Sequence, residues 1–246
     1  MESFLLQKLN ALNEEQRRIL RNLNNDMNRP EKVGLTVSCA QLTLGKKEIT
    51  VMPHGRCLPS PLHGHNYVEL MAVVRGGFTH TVNGRRVVMG EGDLLFMNRH
   101  VLHSIDKPSS RDMAFNVIMS SKFISGLTAE LEDTVFSRFL SENERADGAG
   151  IYLHFRTKGK KQLENLLENL LYELTEYTAD SSILNGTVSL LFRYLSMKHG
   201  ELLVGGSNIF PKKWIIQNYM LRFCWLSCSF ISTADLMLYT GVWYCK

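Results

Sequence analysis

The sequence has few cysteines and no long apolar run, and each absence excludes a broad class of protein. Five cysteines are spread over 246 residues, too few for a secreted domain held together by disulfide bonds. The N-terminus lacks the basic and then apolar order of a signal peptide. No uncharged apolar stretch is long enough to predict a membrane span. We therefore expect the chain to act in a reducing, cytoplasmic environment.

Motifs for covalent catalysis and for phosphate binding are also missing from the sequence. There is no Gly-x-Ser-x-Gly nucleophile elbow and no glycine loop of the kind that cradles phosphates. Cys39 and Cys57 have no neighbouring His/Asn framework that would activate a thiol. Asp235 lies in the middle of the apolar segment Phe223–Cys245, which argues against a membrane anchor there.

The overall composition is that of a folded globular protein. Hydrophobic residues make up 44% of the chain and charged residues 21%, which excludes a largely disordered chain. The formal net charge is +4 and the sequence pI is about 8.8. This mild basicity is compatible with a nucleic-acid partner without requiring one. The length predicts two compact units.

From Val33 to Met119 the sequence pattern predicts β structure. Short apolar runs alternate with Gly, Pro and Asn, and Val82-Asn83-Gly84-Arg85 is typical of the type I′ turn of a hairpin. Strands at this spacing predict a sandwich or a small barrel. The predicted strands are Val33–Leu44, Glu48–Met52, Tyr67–Val74, Phe78–Val82, Arg86–Met89, Asp93–Met97 and Met113–Ile118.

Helical periodicity is found on both sides of this region. Residues 2–25 predict an N-terminal helix, and residues 163–177 and 183–195 predict a helix pair joined by a short loop. The pair has more apolar surface than its own contact can cover, so it must lie on the sandwich, on a twin subunit, or on both. The leucines concerned are Leu163, Leu166, Leu167, Leu170, Leu171, Leu174, Leu191 and Leu195.

One cluster of side chains has a clear potential for chemistry. If residues 63–71 form one strand, its alternate side chains project to one side; these are His63, His65, Tyr67, Glu69 and Met71. His103 lies after the next turns and can return beside them. Three imidazoles and a carboxylate would suit Zn²⁺, Mn²⁺ or Fe²⁺. A metal site, a metal-free effector pocket and a hydrogen-bonded structural cluster all remain open.

The same residues carry a family resemblance. The spacing H-x-H-x₃-E-x₆-G from His63 to Gly76 resembles the first cupin motif, and the run from Gly92 to His103 resembles the second. With Val82–Arg85 between them and the helix pair behind, they resemble the sugar-sensing N-terminal domain of AraC-type transcriptional regulators. The resemblance covers about residues 40–205. It implies a mainly β protein with some α structure, built as a cupin jelly-roll barrel followed by an antiparallel helix pair.

The resemblance also implies a division of the chain and a set of partners. The predicted parts are an N-terminal helical arm (1–30), an effector-binding barrel (31–156), dimerisation helices (157–206), the start of a DNA-binding domain (207–222) and an anomalous tail (223–246). Because the tail does not resemble a helix-turn-helix reader, we expect a truncated or frameshifted DNA-binding region. The implied partners are a small effector, a sugar, and a twin subunit, with DNA as the partner of the intact family.

The predicted site residues follow from this resemblance. The effector would be bound by His63, His65, Glu69 and His103, with contributions from His80, Asn98 and Arg56, and the eight leucines above would bury a twin subunit. We expect no enzymatic activity and no resident cofactor. The alternative is a metal-dependent cupin enzyme, a dioxygenase or isomerase, that uses His63, His65, Glu69 and His103. A third possibility is a partner that forms mixed dimers with a complete paralogue. The histidines at 54, 100, 154 and 199 are predicted to be surface or capping residues.

Overall fold

The computed structural model describes most of the chain between residues 48 and 207. The described residues are 6, 7, 9, 35–38, 48–55, 59–128, 131, 134, 136–175, 181–197 and 200–207. The chain divides into two compact units, Met1–Ser207 and Asn208–Lys246. Most of the predicted N-terminal arm, Arg56, and everything from residue 208 onward lie outside the described residues.

The first unit is built on β-strands that form two sheets. A five-stranded sheet has the order β1-β3-β8-β5-β6, and a six-stranded sheet has the order β11-β10-β7-β4-β9-β2. All the described pairings are antiparallel except that of β1 with β3. The strands are β1 Leu35–Val37, β2 Ile49–Pro53, β3 Ser60–His65, β4 Val68–Arg75, β5 Gly77–Val82, β6 Arg85–Gly90, β7 Asp93–Met97, β8 Leu102–Ile105, β9 Met113–Met119, β10 Tyr152–Arg156 and β11 Leu203–Gly206.

The chain passes repeatedly from one sheet to the other, which produces a jelly roll. Strand β4 belongs to the six-stranded sheet, β5 and β6 to the other, β7 to the first again, and β8 and β9 alternate in the same way. This connectivity is typical of double-sheet jelly rolls. The predicted fold class, a mainly β cupin-like barrel with helices, is confirmed.

The predicted hairpin turn has the geometry that its sequence requires. Asn83 has φ +47° and Gly84 has φ +75°, the left-handed values that a type I′ turn needs at both central positions. Val82 and Arg85 are paired across the turn. The Asn83 amide also donates from Nδ2 to the Gly150 carbonyl at 2.9 Å and accepts at Oδ1 from the Leu102 amide at 3.0 Å. The turn is therefore tied to two other parts of the barrel.

An apolar core fills the space between the two sheets. It draws on Met71 and Val73 of β4, Phe78 and Val82 of β5, and further side chains from both sheets, all of them buried. Residues two apart along each strand point inward together, so the core uses every second residue. Glu69 has the same parity as Met71 and Val73, and it therefore also points into the barrel.

A second core covers the outer face of the six-stranded sheet. Phe96 of β7 contacts the rings of Phe136, Phe139, Phe155 and Phe192, with centroids 5.1–6.4 Å apart. Such edge-to-face packing adds to the stabilisation from apolar burial. The helices of the unit are α1 Ser121–Thr128, α2 Ser137–Glu144, α3 Lys161–Thr175 and α4 Ser181–Met197, followed by a 3₁₀ turn at Gly200–Leu202. No described helix is both long and apolar enough to cross a membrane.

The predicted helix pair is present, and its leucine stripe is buried within the single chain. Helices α3 and α4 contact each other and β2. Of the eight leucines, only Leu174 is half-buried; the other seven are at most 7% exposed. Burial of each leucine contributes about 1.5–3 kcal/mol to folding. The chain itself thus covers seven of the eight leucines, and their role in burying a twin subunit stays a prediction.

Candidate functional site

The histidine motif lies on two strands rather than one. Strand β3 ends at His65, the chain turns at Asn66 and Tyr67, and β4 begins at Val68. The two strands belong to opposite sheets. The prediction of a single strand is therefore wrong. The motif side chains still meet, because the inner faces of the two sheets oppose each other across the barrel.

Seven side chains form a polar cluster inside the barrel: His54, His63, His65, Glu69, His80, His103 and Asn116. The five-stranded sheet supplies His63 and His65 from β3, His80 from β5 and His103 from β8. The six-stranded sheet supplies Glu69 and Asn116, and His54 directly follows its β2. All are buried except the half-buried His63 and Asn116, which is half-buried as well.

The imidazole rings are packed closely around His103. The ring centroid of His103 lies 4.2 Å from that of His63, 5.5 Å from that of His65 and 5.8 Å from that of His80. His63 and His103 are direct cross-strand partners in the pairing of β3 with β8. The register between β3 and β8 therefore fixes the relative positions of His63 and His103.

The Glu69 carboxylate is held from one side only. Asn116 donates from Nδ2 to Glu69 Oε1, and its own Oδ1 accepts from His54 Nδ1 at 3.1 Å. The other oxygen, Oε2, lies 3.6 Å from His65 Nε2 and 3.8 Å from His103 Nε2. These two distances exceed those of hydrogen bonds. Glu69 Oε2 is therefore directed at two imidazoles without bonding to either.

Hydrogen bonds to carbonyl groups fix the tautomers of two rings. His65 Nδ1 donates to the Tyr67 carbonyl at 2.7 Å, and His63 Nδ1 donates to the Pro61 carbonyl at 2.8 Å. Because a carbonyl only accepts, both Nδ1 atoms carry the proton and each neutral ring keeps a lone pair at Nε2. His65 thus presents a lone pair to a carboxylate oxygen. Two acceptors that face each other in this way are suited to a shared proton, a donor from a ligand, or a cation.

Burial shifts the ionisation of every titratable group in the cluster toward the neutral form. Desolvation lowers the pKa of His54 and of His65 to about 4 and that of His80 to about 3, and it lowers the pKa of His103 well below its usual value and that of His63 also. Desolvation raises the pKa of Glu69 to about 7, although the Asn116 hydrogen bond opposes the shift. At neutral pH the cluster therefore holds neutral imidazoles and a partly protonated acid.

Three of these residues have the geometry of a metal centre. One donor atom each from His65, Glu69 and His103 lie within 4.8 Å of one another. His65 Nε2 and both ring nitrogens of His103 are buried without a hydrogen-bond partner. The tautomer of His65 is fixed by a backbone carbonyl, as it is in many metal sites. The donor set therefore fits a divalent transition metal.

Of the further predicted site residues, the structure brings His80 into the cluster and leaves Asn98 out. His80 Nε2 contacts Met71 Sδ at 3.0 Å, and its Nδ1 has no partner. The Asn98 amide instead bonds the backbone: Oδ1 accepts from the amides of Ile151 and His100, and Nδ2 donates to the Ala149 carbonyl. Asn98 thus holds a loop in place. Arg56 lies outside the described residues.

Two members of the cluster were missed in the sequence. His54 was predicted to be at the surface, whereas it is buried, lies 5.3 Å from the Phe78 ring and bonds Asn116. Asn116 is the single polar residue within the apolar strand Met113–Met119, and that pattern was the available signal, since an inward polar group needs a buried partner.

His154 was also predicted to be at the surface. It is buried, and its Nε2 lies 2.9 Å from Asp93 Oδ2.

The match to a known family covers this site. The model of the AraC-like ligand binding domain matches residues 59–185, just over half of the chain. The matched region includes β3 to β10 and most of the polar cluster. The chain belongs to the family of AraC-like ligand binding domains. It therefore contains an AraC-like ligand binding domain, and the polar cluster lies in the interior of that domain.

Solved structures with a similar course of the chain include regulators and enzymes of low identity. Apo ToxT from Vibrio cholerae is 11% identical with a TM-score of 0.44, over 76% of this chain and 67% of that one. ToxT with bound unsaturated fatty acid is 10% identical with a TM-score of 0.40, over 57% and 51%. Oxalate decarboxylase from Bacillus subtilis, which has Mn(II) centres, is 20% identical with a TM-score of 0.27, over 33% and 23%.

These similarities are too low to assign a ligand or an activity. The chain spans between about half and two thirds of the length of the ToxT chains. No curated protein sequence matches the chain significantly.

We expect the buried imidazoles to make chelator-treated protein sensitive to acid. The pKa values of His54, His65 and His80 are about 6.5 in the unfolded chain and about 4, 4 and 3 in the fold, so their contribution to stability is complete above pH 6.5 and is lost as the pH falls toward 4. Glu69 has the opposite effect, since its raised pKa costs stability as the pH rises from 4.5 to 7. As the pH falls, the stability lost through several imidazoles exceeds the stability gained through one acid. Urea denaturation between pH 7 and pH 5 should show a falling free energy of unfolding.

Two variants test whether this dependence comes from the cluster. His80→Phe should reduce the slope of stability against pH by about one proton, which is about 1.4 kcal/mol per pH unit. Phe78→Leu, beside His54, should lower stability at every pH and leave the slope unchanged, because it removes no titrating group. An unchanged slope in His80→Phe would contradict the assignment.

Proposed function

We propose that this chain is the effector-sensing part of an AraC-type DNA-binding transcription regulator, and that its barrel binds a small hydroxylated molecule, a sugar, at the polar cluster. The observation that carries the proposal is the burial of Glu69 Oε2 and of unpartnered imidazole nitrogens between the two sheets. Unpartnered buried polar atoms cost about 1–3 kcal/mol each. A ligand that bonds to them recovers that cost.

The charge of the cluster supports an uncharged effector. The imidazoles are neutral at pH 7 and Glu69 is partly protonated, so the site offers hydrogen bonds without a fixed positive charge. A carboxylate or phosphate ligand would lack a counter-charge among the described residues of the cluster. A hydroxyl group both donates and accepts, so it matches this lining at low desolvation cost.

The proposed role of each cluster side chain follows from those of its polar atoms that have no hydrogen-bond partner. His63 and His65 each have a lone pair at Nε2 to accept from a hydroxyl group, because their Nδ1 atoms donate to carbonyls. Glu69 Oε2 accepts in its ionised form or donates when protonated. His103, with both nitrogens free of hydrogen bonds, closes the cluster. The gap between the donor atoms of His65, Glu69 and His103 is too small for a sugar ring, so these residues would contact the effector from one side.

Dimerisation is proposed through a different surface from that predicted by the sequence. Ile183, Leu190 and Met197 are 51%, 43% and 57% exposed. They are seven residues apart on α4, and this spacing places them on one line along a helix. Such a stripe is typical of a helix that pairs with its twin. We propose that effector binding changes the relative stability of two dimer arrangements, since an effector shifts such an equilibrium only by its differential affinity for them.

A metal-dependent cupin enzyme is the second candidate function, and the triad of His65, Glu69 and His103 favours it. Two imidazoles and a carboxylate with further open positions are typical of mononuclear iron or manganese sites. A metal bound there would act as a Lewis acid toward a coordinated substrate. In that case Asn116 would orient the carboxylate and the Tyr67 carbonyl would orient the His65 ring. His63 lies outside the triad and would contact the substrate instead.

We expect a neutral sugar to stabilise the wild-type protein against heat. Monosaccharides, both pentoses and hexoses, are tested one at a time at 10 mM by differential scanning fluorimetry after chelator treatment. A ligand at a hundred times its Kd stabilises by about 2.7 kcal/mol. Glu69→Gln and His65→Ala should lose most of that shift, and Glu91→Gln, which removes an exposed carboxylate paired with Lys158, should retain it. Stabilisation by no sugar, or an equal shift in Glu69→Gln, would contradict the proposal.

We expect Leu190→Glu to convert the dimer to a monomer, because a charge in the centre of the α4 stripe cannot be buried without a partner. Sedimentation equilibrium at micromolar concentration measures the mass. Leu62→Glu is the matched control, since Leu62 has the same 43% exposure but lies on β3. A wild-type monomer, or an unchanged mass in Leu190→Glu, would contradict the assigned surface.

Metal analysis decides between the two candidate functions. If the enzyme candidate is correct, protein purified without chelator should contain Mn, Fe or Zn at about one ion per chain, and His65→Ala and Glu69→Gln should each lose it, because the triad then has only two ligands. Glu91→Gln should keep the metal. If the effector candidate is correct, the wild-type protein should contain no more metal than His65→Ala does.

A further inference from the structure

A cleft of about 350 Å³ opens on the side of the barrel where the edges of the two sheets approach each other. Strand β6 is the edge of the five-stranded sheet, and β11, with β10 beside it, is the edge of the six-stranded sheet. The residues that matter here are Arg86, Val87, Tyr152, His154, Arg156 and Gly205. The volume is in the range of small-molecule sites.

The lining combines two cations with an apolar floor. Arg86 and Arg156 are exposed, and among the described residues neither guanidinium has an ion pair or a side-chain hydrogen bond. No acidic side chain lines the cleft. Val87 and Tyr152 are buried and belong to the apolar core between the sheets. His154 is turned toward Asp93, with Nε2 2.9 Å from Oδ2, so this carboxylate already has a partner.

The cleft is separate from the polar cluster. Tyr152 is paired with Met97, and Met97 is paired with Glu69 in the next strand. The three side chains form a row on the inner face of the six-stranded sheet, with Met97 in the middle. Strands are about 4.8 Å apart, so the Tyr152 position is about 10 Å from that of Glu69. A ligand in the cleft therefore has its own set of contacts.

We propose that this cleft binds a small organic anion, with its carboxylate or phosphate group on Arg86 and Arg156 and its apolar body against Val88 and Val204, the exposed valines of the lining. Arginine presents planar N–H donors that match carboxylate and phosphate oxygens, and such charge-assisted bonds are about twice as strong as neutral ones. The exposed edge of β6 adds backbone N–H groups on the same side.

The cleft also borders the last described strand of the first unit. Gly205 and Val204 of β11 are part of the lining, and β11 is the last strand before the second unit begins at Asn208. Among the described strands, β11 pairs with β10 alone, and that pairing has a register shift between His154 and Phe155. An anion bound by Arg86 of β6 and Arg156 of β10 would also lie beside Val204 and Gly205 of β11, which line the same cleft.

The test uses the full chain and three probes: sodium hexanoate, inorganic phosphate and neutral hexanol. Binding is followed from amide shifts of Val87, Val204 and Gly205 in ¹H–¹⁵N spectra at constant ionic strength and pH. We expect hexanoate or phosphate to shift these amides and hexanol to leave them unchanged. A response to hexanoate alone identifies a carboxylate with an apolar body, and a response to phosphate identifies a phosphate-bearing ligand. The absence of any response at 50 mM of either anion would overturn the proposal.

Variants separate the cleft from other cationic surface. The double variant Arg86→Gln, Arg156→Gln should weaken anion binding about tenfold or more, equivalent to about 1.4 kcal/mol. Arg111→Gln removes an exposed arginine outside the cleft and should keep the affinity within about twofold. Glu69→Gln should also retain binding, which distinguishes this site from the proposed sugar site. Equal binding in the double variant and in Arg111→Gln would overturn the proposal.

Discussion

The burial of a carboxylate among imidazoles, between two sheets that are otherwise apolar, is the constraint on which this structure depends. Glu69 is 5% exposed, and the free energy of keeping it charged there is high. The fold reduces that cost by raising the pKa of the acid to about 7 and by one hydrogen bond from Asn116. It leaves the other oxygen directed at the imidazoles of His65 and His103 without a hydrogen bond to either. That arrangement lowers the free energy of unfolding. The burial of the apolar cores on both sides of the six-stranded sheet has to offset this loss.

The two cores have different consequences for function. The outer core, around Phe96, is fully apolar and fixes the helices on the sheet. The inner core is apolar around Met71 and Val82 and polar around His103. Because β4 contributes to both cores, with Leu70 on one face and Glu69 on the other, the position of the carboxylate is tied to the helix packing. The proposed ligand at Glu69 would therefore contact the same strand on which the helices pack.

Much of the fold could be predicted from short-range pattern. The hairpin at Asn83 and Gly84 follows from the preference of these residues for left-handed backbone, and the helix pair follows from leucines at helical spacing. Strands β8, β10 and β11 and the short helices α1 and α2 were not predicted. These segments are short and have no sustained period, and the strands are held by contacts with distant segments, as β10 is held between β7 and β11. Such long-range contacts cannot be predicted from the local sequence pattern.

The candidate site was predictable in its chemistry and not in its geometry. The sequence by itself determined which groups are present: the imidazoles at 63, 65 and 103, the acid at 69, and an apolar alternation that turns them inward. Only the tertiary structure decided that residues 63–71 divide between two sheets, that Asn116 and His54 complete the cluster, and that the leucines of the helix pair are covered by their own chain. The physical reason is that strand pairing and layer packing are set by the whole chain at once. Which lone pair faces which oxygen depends on register between segments about fifty residues apart.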